Sequence, residues 1–223
     1  MTVYSPNIEH GIFIVKDKWS AITHFAGFLA AIIGSPLLLL KGAMVPLPMR
    51  GLVSLAVFMA SMILLYGASA SYHAFNLSPS ANMVLKRIDH CSIFILIAGT
   101  YTPVLTLLVP ARWMLELIWG IAIAGIIFKL FFVTCPRWVS SVLYITMGWL
   151  CIFLLPNLIQ TLGSRIMMLI LGGIFYTIGG WIYAEKRPLF PNEKETGFGN
   201  HELFHLFVLA GSLCHYLFFL LIL

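Results

Sequence analysis

Three histidines and an aspartate, His73, Asp89, His201 and His205, stand at the ends of long apolar runs in a chain with few other charges. An ionisable side chain at membrane depth is costly, so it is usually kept for metal binding, proton movement or catalysis. His201 and His205 are four apart, which on a helix projects both rings from one face about one turn apart. That spacing lets two imidazoles share a metal ion. His73 offers a third nitrogen. Three protein ligands with one open position is the arrangement of catalytic zinc, which lowers the pKa of a bound water to about 7. Zn2+ is therefore the expected cofactor. Asp89 is suited to act as general base and then as acid to the leaving group. Ser69, one turn before His73 on the same face, is suited to orient water or a substrate oxygen.

Blander readings of the same residues stand beside this one. A histidine near a helix end can reach for the interface or bond a neighbouring carbonyl, and Asp89 can pair with Lys86 or Arg87. His24 is either an outer partner of the cluster or structural. His90 points about 100° away from Asp89 around a helix. His215 lies roughly 15 Å deeper than His205, too far for one site. His10, in the N-terminal segment, is expected to be solvated. The run His201-Glu202-Leu203-Phe204-His205 also spells His-Glu-x-x-His, in which the glutamate of a zinc protease is the general base. An intramembrane metalloprotease is thus an alternative, weakened because Glu202 lies at the water boundary and only the distant His215 follows.

The elements that must position these groups follow from composition. Of 223 residues 61% are apolar and only 9% charged, with a mean hydropathy of +0.98. A soluble domain carries roughly 25% charged residues, so this surface is built for lipid. About 20 apolar residues in a helix span a ~30 Å hydrocarbon core. Seven such segments are expected: Ser20 to Leu40, Met49 to His73, Arg87 to Leu108, Trp113 to Phe132, Trp138 to Leu155, Arg165 to Ala184 and His201 to Leu223. Residues 1–223 then form one all-α transmembrane domain with short loops. Pro46, Pro48, Pro79, Pro110, Pro136, Pro156, Pro188 and Pro191 punctuate the boundaries, while Pro36 and Pro103 should kink spans one and three. The N-terminus lacks a cleaved-signal pattern, so the first span is expected to remain as an anchor. The four cysteines form no disulfide framework.

Lys and Arg collect on the cytoplasmic side. With the N-terminus inside, Lys16, Lys18, Lys86, Arg87, Lys129, Arg137, Lys186, Arg187 and Lys194 lie inside, against Lys41, Arg50, Arg112 and Arg165 outside. Seven crossings then leave the C-terminus outside. This orientation, taken from Lys and Arg alone, places His73, Asp89, His201 and His205 at one depth near the inner boundary. The net charge of +5 needs no nucleic-acid partner, because no long basic cluster is present. Gly172-Gly173 and Gly179-Gly180, one heptad apart, suit close helix packing, as does the small run Gly67 to Ser71. Trp19, Trp113 and Trp138 fall where interfacial belts are expected.

At Ser69-x-x-x-His73, at RIDHCSIFILIAGTYTP and at HELFHLFVLAGSLCH the chain resembles the progestin and adipoQ receptor family, specifically its bacterial hemolysin III branch. The resemblance runs over nearly the whole chain. It implies seven helices with the N-terminus inside, in the cytoplasmic membrane of a bacterium. It also implies zinc held by His73, His201 and His205, with Asp89 beside the metal-bound water and Ser69 nearby. The family is similar to a wider group of membrane hydrolases that includes ceramidases, which suggests amide hydrolysis of a lipid. Relatives often carry an acid, an asparagine and Thr-His in span one. Asp17, Thr23 and His24 match, but Ser20 replaces the asparagine.

Two functions compete. One is a zinc-dependent lipid hydrolase acting on an amide or ester, with membrane lipids as its partners. The other is a non-enzymatic regulator of membrane state, or a membrane-permeabilising protein, in which zinc braces the second and seventh helices. No span carries polar residues at successive depths, which ranks pore formation below regulation.

Overall fold

The computed structural model describes residues 8, 9 and 12–223, and helix dominates it. With no water in a bilayer core, backbone N–H and C=O groups must be satisfied within each segment, and helices do this locally. The helices are α1 (Lys18–Met44), α2 (Met49–Ala74), α3 (Pro79–Pro103), α4 (Arg112–Phe132), α5 (Arg137–Trp149), α6 (Leu155–Leu162), α7 (Met167–Ala184), α8 (Glu193–Thr196) and α9 (Asn200–Ile222). A two-residue antiparallel ladder, β1 (Ile8–Glu9) with β2 (Ile12–Phe13), precedes them. The sequence reading did not anticipate it. His10 lies outside the described residues.

Proline acts at most boundaries as its chemistry requires. Pro48 and Pro136 stand just before α2 and α5. Pro79 opens α3 behind the Ser78 hydroxyl, which accepts from the Ala81 N–H at 3.3 Å. Two interior prolines behave differently from each other. Helix α1 runs on through Pro36, whereas α3 ends at Pro103 and continues as a π-helical turn over Val104–Leu108. A proline has no N–H for the ladder, and the wider turn absorbs the mismatch.

Six helical stretches among the described residues are long and apolar enough to cross a membrane. Five match the first four and the last of the expected segments. The other is a single 48-residue run, Arg137–Ala184, covering the two segments expected at 138–155 and 165–184. Pro156 does not separate them; it sits in the first turn of α6, after a 3-10 stretch at Leu150–Leu154. A second 3-10 stretch, Gly163–Ile166, follows, with Gly163 at a φ of 55°. The run is not straight. Helix α5 packs against α7, and Trp149 Nε1 donates to Thr177 Oγ1 at 2.8 Å.

Helices α1, α2, α3, α5, α7 and α9 pack in sequence round a closed circuit, α9 returning to α1, and α4 lies outside against α3. Phe58, Tyr66, Phe94, Phe218 and Phe219 fill the inside. Ile33, Leu40, Phe131 and Phe153 face outward, each more than 60% exposed. Such an apolar exterior suits lipid rather than water. Lys129, fully buried near the end of α4, donates to Ser140 Oγ at 2.6 Å and ties α4 to α5. A cation in the last helical turn also sits favourably against the helix dipole.

The paired glycines divide their labour. A Cβ at Gly179 would lie 2.9 Å from Phe207 Cβ on α9, and one at Gly180 would lie 2.9 Å from Ile145 Cδ1 on α5. At Gly173 the nearest atom would be 4.0 Å away. Forcing a branched side chain into a packed seam costs about 1–3 kcal/mol. Gly179→Val is therefore expected to lower the melting temperature of the detergent-solubilised protein by several degrees, while Gly173→Ala leaves it at the wild-type value. Equal melting curves for the two variants would contradict this packing.

Candidate metal centre

The last turn of α2 carries His73, and the first turns of α9 carry His201 and His205. Local chemistry holds both helix ends. Gly197, in the left-handed region at a φ of 66°, ends α8. Asn200 then locks the approach to α9: its side chain accepts from the Leu189 N–H and donates to the Arg187 carbonyl, each at 2.9 Å. At α2, the segment before α1 runs alongside the helix end, with Asp17 N–H donating to the His73 carbonyl at 2.8 Å and Lys16 N–H to the Ala74 carbonyl at 3.2 Å.

These constraints bring one ring nitrogen from each of His73, His201 and His205 within 4.8 Å of the other two, a group that could hold a metal ion. Nε2 of His201 and Nε2 of His73 are 3.2 Å apart. Two nitrogens at 2.0–2.1 Å from a tetrahedral zinc stand about 3.3–3.4 Å from each other, so the spacing suits such an ion. The protonation pattern suits it too. A carboxylate only accepts, so His73 Nδ1–H donates to Asp17 Oδ2, at 2.9 Å, and Nε2 is the nitrogen that faces His201. Burial opposes the charge on Asp17. The hydrogen bond from His73, joined by the nearby Lys16, outweighs it and holds this carboxyl below its ordinary range.

The remaining site residues predicted from sequence gather around the three histidines. Asp89 is buried on α3 and Ser69 is buried on α2 one turn before His73, and the two line the same cavity. No Lys or Arg ion pair to Asp89 within 4 Å occurs among the described residues, so the expected alternative with Lys86 or Arg87 is not what holds it. His24 stacks on His205, ring centroids 3.6 Å apart and 8° from parallel. Thr23 Oγ1 lies 3.5 Å from His205 Nδ1. Glu202 points away from chemistry: Ser20 Oγ donates to its Oε1 at 2.6 Å and the Gly199 N–H to its Oε2 at 2.9 Å. It is a helix cap. His90 presents its carbonyl to Tyr144 O–H at 3.1 Å. His215 meets the Leu169 carbonyl through Nε2 at 3.2 Å. Neither belongs to the three-histidine group.

A cavity of about 240 Å³ opens beside the cluster and runs along the inside of the helix circuit. His201, His205, Asp89 and Ser69 line one part of it, and Leu158, Ile166 and His215 line others. Its walls are overwhelmingly apolar. Asp17 is the member that residue spacing alone did not place against His73; it entered the sequence reading only as part of a span-one motif. An acid immediately before a helix whose next turns hold Thr-His was the available signal.

A family model described as haemolysin-III related matches residues 13–216. The chain is 37% identical over 205 residues to hemolysin-3 of Bacillus cereus, covering 90% of this chain and 88% of that one. It is 36% identical over 208 residues to a hemolysin-3 homolog of Bacillus subtilis (strain 168), covering 90% and 92%. An adiponectin receptor protein of Drosophila melanogaster is 24% identical over 243 residues, covering 92% of this chain and 50% of the receptor. These similarities agree with the resemblance carried by the Ser69, Asp89 and His201 motifs. Together with its long apolar helices, they make this chain a multi-pass membrane protein belonging to the haemolysin-III-related family.

Proposed function

We propose that this protein is a zinc-dependent hydrolase of a lipid amide or ester, built on seven crossings of the bacterial cytoplasmic membrane. The observation that carries the reading is the union of three convergent imidazoles, two of which line an apolar cavity together with a buried acid. Seven crossings are favoured by the 48-residue run. A helix of that length extends roughly 72 Å at 1.5 Å per residue, far more than a ~30 Å core needs, and α5 lies against α7. The excess of Lys and Arg on one set of loops favours an inside N-terminus.

In this reading His73, His201 and His205 hold the ion. Zinc, when bound, supplies Lewis acidity toward a carbonyl and activation of water. The Asp89 carboxyl takes the proton of the attacking water and delivers it to the leaving nitrogen or oxygen. Ser69 Oγ orients the attacking water or a substrate oxygen. The apolar cavity holds acyl chains that enter sideways between helices, and it keeps bulk water from the reacting atoms. Glu202 is occupied by Ser20 and Gly199, which disfavours a protease that would use it as base.

A second reading is favoured by where the ligands sit. His73 is on α2 and its partners are on α9, so a bound metal would brace two helices that both rest on α1. In a regulator of membrane state, or in a hemolysin of the kind the relatives' names describe, that brace would be the whole role of the ion.

Elemental analysis of purified wild-type protein should find one equivalent of zinc, falling sharply in His73→Ala, His201→Ala and His205→Ala. With a ceramide-like lipid, turnover should drop by about 10²-fold or more in Asp89→Asn while its zinc content stays at the wild-type value. Glu202→Gln should keep zinc, turnover and most of the helix cap, because a glutamine side-chain oxygen still accepts the Gly199 N–H. Metal removal that unfolds a protein which never consumes lipid would move the assignment to the bracing role.

A further inference from the structure

The outer partner of the cluster lies just before the first long helix. Asp17 precedes α1, and its carboxylate accepts the Nδ1 proton of His73 at 2.9 Å. Three restraints fix that carboxylate in place. Its own N–H donates to the His73 carbonyl at 2.8 Å, and its carbonyl accepts from the Ala21 N–H at 2.9 Å. Lys16 Nζ stands 3.6 Å from the same Oδ2 atom and donates to the Tyr72 carbonyl. The next residue on α2 after Tyr72 is His73 itself, so the Lys16–Asp17 pair grips the helix end from backbone and side chain together.

We propose that Asp17 is a positioning residue of the metal centre, holding His73 in the tautomer and tilt that turn Nε2 toward His201 and His205. This inference rests on the metal reading of the three histidines and deepens it. An imidazole can present either nitrogen to an ion, and the hydrogen bond made by the other one decides which. A histidine that ligates a metal commonly donates its second N–H to a carboxylate or carbonyl, which orients the ring and raises its basicity. Among the described residues His205 has no carboxylate partner within 4 Å, and its Nδ1 makes a longer 3.5 Å contact to Thr23 Oγ1, a hydroxyl that also faces the Trp19 and Ser20 carbonyls. The strong outer bond is thus concentrated on His73, the one ligand that comes from α2. Charge points the same way. A divalent ion on three neutral imidazoles leaves two positive charges in a low-dielectric setting, and Asp17 behind His73 with Asp89 beside the cavity supplies two negative ones.

The test measures zinc affinity of the full-length solubilised protein by competition with a chromophoric chelator, with the Co2+-substituted absorption spectrum as a second readout. Loss of an outer partner typically costs 10–100-fold in metal affinity. Asp17→Ala should bind zinc about 10–100-fold more weakly and shift the Co2+ bands, and Asp17→Glu should recover most of the affinity. Asp17→Asn retains an acceptor oxygen without the charge and should fall between them. Arg112→Gln, an exposed change on α4 that touches neither Asp17 nor the histidines, should bind as wild type. If Asp17→Ala does not fold, Asp17→Asn against Asp17→Glu carries the comparison. Wild-type affinity and spectra across the Asp17 series, in a protein that itself binds one equivalent, would overturn the positioning role alone. A wild type that binds no metal would overturn the metal reading beneath it as well.

Discussion

Three imidazole nitrogens crowded within 4.8 Å of one another, on rings that burial has largely taken from water, impose the constraint around which the rest is arranged. Nitrogens this close must share a proton or a metal ion, since two facing lone pairs repel, and each ring has a second nitrogen that also needs a partner. His73 satisfies its own through Asp17. The geometry therefore reaches beyond the three ligands to the segment before α1, the end of α2 and the start of α9. A shift of any one of these by an ångström would separate the nitrogens.

Close packing along α1 holds the two ligand-bearing helices in place. A Cβ at Gly27 would lie 2.5 Å from Leu209 Cδ2 on α9 and 3.1 Å from Tyr66 Cδ1 on α2. One at Gly34 would lie 3.1 Å from the Tyr216 ring, whose hydroxyl donates to the Gly34 carbonyl at 3.0 Å. Helices in lipid gain no hydrophobic drive from meeting each other, so association depends on such close approach and on hydrogen bonds across the seams. Tyr66 O–H donates to Ser212 Oγ at 2.5 Å, and Tyr176 Oη lies 2.7 Å from the same atom. This chain of hydroxyls joins α2, α9 and α7 deep in the bundle. It spends its polar groups on one another, which keeps the neighbouring cavity apolar.

That combination is chemically specific. An apolar chamber in which few groups can move strengthens every electrostatic interaction made inside it. It also suits a ligand with a polar head and a hydrocarbon tail better than a soluble substrate. Asp89 and Ser69 stand at the polar end and the aliphatic lining at the other. The buried acid is held in no lysine or arginine ion pair within 4 Å among the described residues, which is what the proposed proton transfer would require of it.

Much of this was legible in residue order. Apolar runs of about 20 residues determine helices in lipid, because a helix satisfies its backbone within its own segment. The four-residue interval between His201 and His205 determines a shared face, because helical geometry is local. Charge asymmetry among the loops predicts a common depth for His73, Asp89 and His201, and the structure brings these residues together. The folding of residues 137–184 was less legible: Pro156 looks like a break in sequence, yet a proline in a first helical turn starts a helix as readily as it ends one. Glu202 fitted a protease motif by spacing, and only its neighbours Ser20 and Gly199 reveal a cap. Asp17 and His73 are 56 positions apart. No periodicity links them, and neither the tautomer of the ring nor the direction of its free nitrogen exists until α1 and α2 pack side by side. Sequence by itself determined which groups are available and at what depth, since rise and face are properties of a single helix. Tertiary packing alone decided which of them touch, since hydrogen bonds of about 3 Å depend on how separate helices lean on one another.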